Sequence, residues 1–90
     1  MKKNFEIIVE GRVQGVGFRS FAYIRASKYH INGFVKNTSE GSVEILCSGE
    51  REDIDKFIAE MRKGPSFSFI SNLKINEIPE NDFKNFEIRY

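Results

Sequence analysis

The sequence has one cysteine, one histidine and no tryptophan among its 90 residues. A single cysteine, Cys47, cannot form a disulfide within the chain, and such usage is typical of a reducing compartment. A lone histidine, His30, without a second ligand pattern around it gives no zinc site. The sequence therefore predicts a fold that needs no disulfide, no metal and no cofactor.

Long apolar runs and an excess of one charge are also absent. No run approaches the roughly 20 residues of a membrane-spanning helix, and Glu6 and Glu10 interrupt the apolar start, which argues against a signal peptide. The net charge is only +1, whereas proteins that bind nucleic acid usually carry a larger, clustered positive charge. We therefore expect a cytoplasmic protein whose partner is neither a membrane nor a nucleic acid.

The chain does have enough apolar sequence for one compact core. Hydrophobic residues make up 40% of it, and nine of them are phenylalanine. A chain of this length supports one domain and is too short for two. We expect a single domain over residues 1–90, and nothing in the sequence demands more than a monomer.

Hydrophobic periods of two and about 3.6 residues alternate along the chain. Strands are predicted at 4–13, 31–37, 43–47, 67–78 and 86–90, and helices at 18–29 and around Ile54, Phe57, Ile58 and Met61. The order βαββαβ with an extra strand predicts an α+β, ferredoxin-like sandwich. Its two helices should cover one face of an antiparallel sheet of order 4-1-3-2, with the last strand at an edge.

The strand predicted at residues 67–78 has a regular alternation of apolar residues. In residues 67–78, Phe67, Phe69, Leu73 and Ile75 alternate with other residues. Side chains two positions apart lie on the same face of a strand. We therefore expect all four side chains on one face.

The segment GRVQGVGFR, from Gly11 to Arg19, has a pattern that favours anion binding. A strand leads into a glycine turn, and the turn opens a helix whose first N–H groups have no internal partner. The helix dipole is positive there, and glycines let the N–H groups converge. Arg19 adds a guanidinium that holds two phosphate oxygens at once. The predicted phosphate-binding residues are Gln14, Gly15, Val16, Gly17, Phe18 and Arg19.

The residues alone leave a simpler alternative open. Ser20 stands where a dinucleotide loop would have its third glycine, and no Gly-Lys-Ser/Thr follows, so neither nucleotide-binding loop matches. Turns are the commonest use of glycine. Taken by itself, the segment is better interpreted as a plain glycine turn followed by a solvated Arg19.

A family resemblance decides between these interpretations. GRVQGVGFR, followed by GFVKN at 33–37 and GSVE at 41–44, resembles the acylphosphatase family, which has a GxVQGVxFR segment and a G-[WF]-V-x-N segment before a hairpin. Arg19 and Asn37 lie 18 positions apart, which also fits the family. The closing FEIRY resembles the family's aromatic C-terminal strand. Glu40 departs from the usual Asp or Asn before the hairpin glycine.

The resemblance implies a metal-independent hydrolase that cleaves acyl phosphates to a carboxylate and inorganic phosphate. Loop amides and Arg19 would hold the phosphoryl group, and Asn37 would orient the attacking water. Inorganic phosphate or sulfate would be a ligand of the same site. Without the resemblance, Asn37 at a strand end would be interpreted as a turn former.

The predicted fold and motifs are also compatible with two other functions. RNA-recognition domains share the βαββαβ order, so a non-catalytic module that binds phosphate or RNA is one alternative. An acylphosphatase-like domain that acts on carbamoyl phosphate within a larger enzyme is another. We interpret His30 as a residue that stabilises a helix end, and Cys47 as a small buried apolar residue.

Overall fold

The computed structural model describes residues Met1–Tyr90 as five strands and two helices. The elements are β1 (Lys2–Arg12), α1 (Phe18–Lys28), β2 (Asn32–Asn37), β3 (Val43–Glu50), α2 (Arg51–Lys63), β4 (Phe69–Glu77) and β5 (Phe86–Arg89). The sheet has the order β4-β1-β3-β2-β5, which confirms the ferredoxin-like sandwich. Because β5 pairs parallel with β2, the sheet is mixed rather than wholly antiparallel.

The core lies between the two helices and one face of the sheet. Its most deeply buried members are Ile7, Val9, Val13, Phe18, Ala22, Ala26, Val35, Val43, Ile45, Cys47, Ile54, Phe57 and Met61. Alternate residues of β1 and β3 supply the sheet side, and the apolar stripes of both helices supply the other side. Burial raises the pKa of the Cys47 thiol to about 12. The thiol stays protonated, so the interpretation of Cys47 as a buried apolar residue is confirmed.

A bulge in β4 contradicts the prediction that Phe69 lies on the same face as Leu73 and Ile75. Leu73 faces the core, but Ser71 has no partner in β1, and beyond it the pairing shifts by one residue. This shift turns Ile70 toward the core. Phe69 therefore lies on the open face and is 67% exposed, and Phe67, which precedes the strand, is 82% exposed. A bulge of this kind reverses the face of every residue beyond it.

Helix α1 ends one residue earlier than expected, in a turn that includes His30. The N–H of Ile31 donates to the carbonyl of Ala26 over 2.8 Å, and His30 adopts a left-handed conformation with φ of 58°. These are the features of a Schellman motif, with histidine where glycine is usual. The 11 residues of α1 span about 16 Å, and they separate His30 from the glycine turn at the other end.

The connection from β4 to β5 crosses the sheet from one edge to the other. Its first N–H, from Ile78, donates to the carbonyl of Asn4 over 3.0 Å. Further along, Asn32 donates its side-chain amide to the carbonyl of Phe83, and the Phe83 ring packs edge-on against Phe34. This strap places β5 beside β2, so that the two strands end side by side.

The glycine of the GFVKN segment is required by a close approach between strands. Gly33 has φ of 138°, and a Cβ there would lie 1.8 Å from the carbonyl oxygen of Leu46. Gly33→Ala should lower the free energy of unfolding by roughly 2–6 kcal/mol, because backbone strain of ~1–3 kcal/mol adds to overpacking of ~1–3 kcal/mol. Gly41→Ala is the control, since its φ is 89° with open space around it. Equal losses in the two variants, measured by urea unfolding, would contradict the steric explanation.

An ion pair between the helices should make stability depend on pH. Hydrogen bonds from Arg25 and Tyr29 hold the pKa of Glu60 below its usual value. A carboxyl group whose pKa is lower in the folded than in the unfolded protein stabilises the fold. This stabilisation is complete above the unfolded pKa of about 4.3, and it is lost as the pH falls through the pKa of the folded protein. Glu60→Gln should unfold at lower urea than wild type at pH 7, and the difference should shrink as the pH falls below the unfolded pKa of about 4.3. Glu80→Gln, with no such partner, should show no such difference at either pH.

Candidate active site

A small cavity lies where β1, β2 and β5 end and α1 begins. It has a volume of about 120 Å³, and its lining consists of Val13, Gly15, Gly17, Phe18, Arg19, Ser20, Asn37, Ile88 and Tyr90. A water molecule in the liquid takes about 30 Å³, so the cavity has room for an anion of a few atoms. Sites for larger organic ligands usually begin near 300 Å³.

The turn before α1 owes its shape to two glycines. Gly15 has φ of 73° and Gly17 has φ of 80°, and a Cβ at either position would meet nothing within 4 Å. The glycines are therefore needed for the left-handed backbone and not for space. Turns that include left-handed residues bring successive N–H groups together into an anion-binding concavity.

The backbone N–H groups of residues 15–20 donate no hydrogen bond within the protein. The first bond of α1 runs from the N–H of Phe21 to the carbonyl of Gly17, over 3.0 Å. Gly17 caps the helix without a side-chain bond, and no acidic residue lies in the first turn. The positive end of the helix dipole therefore faces the cavity without a protein anion to neutralise it.

Arg19 is the only charged residue that lines the cavity. Its Nη1 donates to the carbonyl of Arg89 over 3.4 Å, and its guanidinium carbon lies 4.5 Å from the centre of the Tyr90 ring. The end of β5 thus holds one side of the guanidinium. The remaining N–H donors stay available for a bidentate contact with an oxyanion.

Asn37, the last residue of β2, lines the same cavity, although it lies outside the loop that precedes α1. Its side-chain oxygen Oδ1 is buried and has no hydrogen-bond partner. Buried polar atoms almost always have a partner in folded proteins, so such an exception calls for an explanation. A donor that enters the cavity, such as a water molecule, would supply one.

Two of the predicted phosphate-binding residues have side chains that do not line the cavity. Gln14 turns its amide away and donates through Nε2 to the carbonyls of Thr38 and Ser42, both over 2.8 Å. Val16 packs partly buried against the core. The structure therefore brings Gly15, Gly17, Phe18, Arg19 and Asn37 together around one cavity. From Gln14 and Val16, only backbone groups remain for a ligand.

Sequence reasoning did not name the four other residues that line the cavity. Val13, Ser20, Ile88 and Tyr90 are these additional members. Val13 and Ser20 lie directly before and after the predicted loop, so their position next to it was a signal for both. No spacing connects Arg19 with Tyr90, because the parallel pairing of β5 with β2 creates their contact.

Some other features of the chain lie apart from this cavity. No group of three or more His, Cys, Asp or Glu side chains is placed to hold a metal ion. Neither helix combines the length and the apolar character that crossing a bilayer requires. His30 and Cys47, the residues considered for acid–base or nucleophilic chemistry, are not part of the lining.

Comparisons with known proteins identify the family of this chain and bear out its fold. The model of the family Acylphosphatase matches residues 5–88. An acylphosphatase of Bacillus licheniformis is 42% identical over 96% of this chain and 97% of its own length. The crystal structure of acylphosphatase from Bacillus subtilis superimposes with a TM-score of 0.94, at 37% identity and complete coverage of both chains. Full-length HypF in its phosphate- and nucleotide-bound form matches all of this chain with 12% of its own length, at 33% identity and a TM-score of 0.90. This chain belongs to the acylphosphatase family.

Proposed function

We propose that this protein hydrolyses acyl phosphates to a carboxylate and inorganic phosphate. One observation carries the proposal: the turn with its unpaired backbone N–H groups, Arg19, and Asn37 with its buried, unpartnered Oδ1 all border one cavity of phosphate size. Membership of the acylphosphatase family supports the same reaction. The substrate is a small molecule, and inorganic phosphate, its product, is also a ligand of the site.

In this proposal the phosphoryl group binds to the amides of Gly15 through Arg19 and to the Arg19 side chain. The amides and the helix dipole offer partial positive charge at fixed positions. The guanidinium keeps a full charge at physiological pH and matches two oxygens of the phosphoryl group. Such preorganised donors stabilise the charge that develops on the phosphoryl oxygens during transfer.

The attacking water is oriented by Asn37. A water that donates to the buried Oδ1 has its own lone pair free to attack phosphorus. As the new P–O bond forms, the bond from phosphorus to the acyl oxygen breaks, and the carboxylate leaves with the electron pair. The proton that the water loses passes to an oxygen of the substrate's own phosphate. Because an acyl phosphate is already reactive, position and charge stabilisation are sufficient.

Carbamoyl phosphate is a second candidate substrate. It is the alternative that the family resemblance left open, and the match of this chain to 12% of full-length HypF is an example of such a domain within a longer chain. Turnover of benzoyl phosphate and carbamoyl phosphate by the same preparation separates the candidates. A kcat/KM at least about tenfold higher for carbamoyl phosphate, a difference of ~1.4 kcal/mol, would favour this alternative.

The proposal extends to the domain organisation and the oligomeric state. We propose that residues 1–90 act as one domain, since all five strands share one sheet. The site as proposed uses side chains and amides of one chain only, in keeping with a monomer. The cytoplasmic location inferred from the sequence stays a prediction.

Replacement of Arg19 should weaken both binding and turnover. Arg19→Ala should lower kcat/KM for benzoyl phosphate by roughly a hundredfold or more, because a charge-stabilising donor is lost. Arg19→Lys should recover only a small part, since an ammonium lacks the bidentate fork. Arg62→Ala, an exposed arginine in the last turn of α2, is the matched control. Near-normal kinetics of a folded Arg19→Ala protein would remove Arg19 from the mechanism.

Replacement of Asn37 should affect turnover and leave phosphate binding intact. Asn37→Ala should lower kcat by roughly a hundredfold or more, because the water loses its acceptor. The inhibition constant of inorganic phosphate should remain within about twofold of wild type, because the groups that bind the phosphate are unchanged. A parallel loss of phosphate affinity would instead place Asn37 among the groups that bind the phosphoryl group.

A further inference from the structure

Gln14 forms a bridge between the phosphate loop and the turn that follows Asn37. Its Nε2 donates both of its hydrogens, one to the carbonyl of Thr38 and one to the carbonyl of Ser42, each over 2.8 Å. These bonds span 24 and 28 positions of the sequence. No other hydrogen bond joins residues 13–17 to residues 38–42.

The turn that receives these bonds is closed by its own hydrogen bonds. The N–H of Thr38 donates to the carbonyl of Ser42 over 2.9 Å, and the two hydroxyl groups lie 2.6 Å apart. The N–H of Ser42 donates in turn to Oγ1 of Thr38 over 3.2 Å. Residues 38–42 therefore move as a unit, and Asn37 is attached directly to that unit.

Asn37 has no side-chain bond of its own to the loop. Its Oδ1 is buried and unpartnered, and its backbone pairs with Val43 on the far side of the turn. Its distance from the loop amides is therefore set indirectly, by the pairing of β2 with β3 and of β3 with β1, and by the Gln14 bridge to the turn that follows it. A glutamine suits this task because one NH₂ group offers two donors to two carbonyls.

We propose that Gln14 is a positioning residue, which places Asn37 and its water at the correct distance from the bound phosphoryl group. The inference rests on the proposed function and adds a role to it: Gln14 serves the water side of the site, while the loop amides and Arg19 serve the phosphate side. Geometry of this kind matters because a displacement of about 1 Å in a reacting pair can cost on the order of a hundredfold in rate.

The test measures kcat, KM and phosphate inhibition in four variants beside wild type. These are Gln14→Met, which keeps the length of the side chain without its donors, Gln14→Glu, Asn37→Ala, and the double variant Gln14→Met with Asn37→Ala. Asn81→Ala is the matched control, since Asn81 also donates a side-chain amide to a backbone carbonyl, that of Pro79. Thermal unfolding of each protein confirms that it is folded.

We expect Gln14→Met to lower kcat by tenfold to roughly a hundredfold, with KM and the phosphate inhibition constant within about twofold. In the Asn37→Ala background the same change should alter kcat by less than about twofold, because a residue that acts through another adds nothing once that other is gone. A loss of equal size in both backgrounds would overturn the proposal, as would an unchanged kcat in the single variant.

Gln14→Glu keeps the shape of the side chain and keeps the proposal falsifiable if Gln14→Met fails to fold. At neutral pH its carboxylate faces two carbonyls without a donor, so kcat should fall at least as far as in Gln14→Met. A protonated carboxyl regains one donor, so the deficit relative to wild type should narrow as the pH falls toward about 4.3. A deficit that is constant with pH would contradict the hydrogen-bond explanation.

A readout without substrate separates this inference from the proposed function. In ¹⁵N spectra, the amide resonances of residues 38–42 should move on Gln14→Met, and the side-chain NH₂ of Gln14 should exchange slowly in wild type. Unmoved resonances would overturn the bridge itself. If wild type hydrolyses no acyl phosphate, the proposed function fails and the catalytic role of Gln14 fails with it, whereas the spectra still decide whether the bridge exists.

Discussion

The whole site depends on the uncapped beginning of α1. Two left-handed glycines carry the chain from β1 into the helix, and the N–H groups of residues 15–20 are left without partners. Most helices satisfy these groups with a Ser, Thr, Asp or Asn side chain at the N-cap. Here Gly17 occupies that position, and no acidic side chain follows in the first turn. The stabilisation that a cap would give is forgone, and an anion can take its place.

The sheet supplies what the turn cannot, because three strands end at the same place. β1 leads into the glycine turn, β2 ends in Asn37, and β5 brings Tyr90 against the Arg19 guanidinium. The position of β5 depends in turn on the strap from β4, which crosses the sheet and packs Phe83 against Phe34. Arg19 is therefore held by a strand about 70 positions away in the sequence.

Much of this fold could be predicted from local pattern, and the failures have physical causes. The stripe of Ile54, Phe57, Ile58 and Met61 predicts α2 because its spacing matches a helical turn, and three of its four members are buried. Phe69 was assigned to the wrong face because a single unpaired residue, Ser71, reverses the strand beyond it. The contact of Tyr90 with Arg19 and the bridge from Gln14 depend on tertiary pairing, which leaves no spacing in the sequence. Asn37 could be singled out only through the family resemblance.

The chemistry of the lining limits which group can take the proton. No carboxylate, imidazole or thiol side chain borders the cavity, Cys47 is protonated in the core, and His30 lies at the other end of α1. A guanidinium cannot act as a base, because it is already protonated. In the proposed mechanism the protein therefore offers charge and position, and the base comes with the substrate. In that proposal a phosphate oxygen held beside the water takes the proton, so a reactive acyl phosphate suits a site that has only backbone N–H groups, one arginine and one amide.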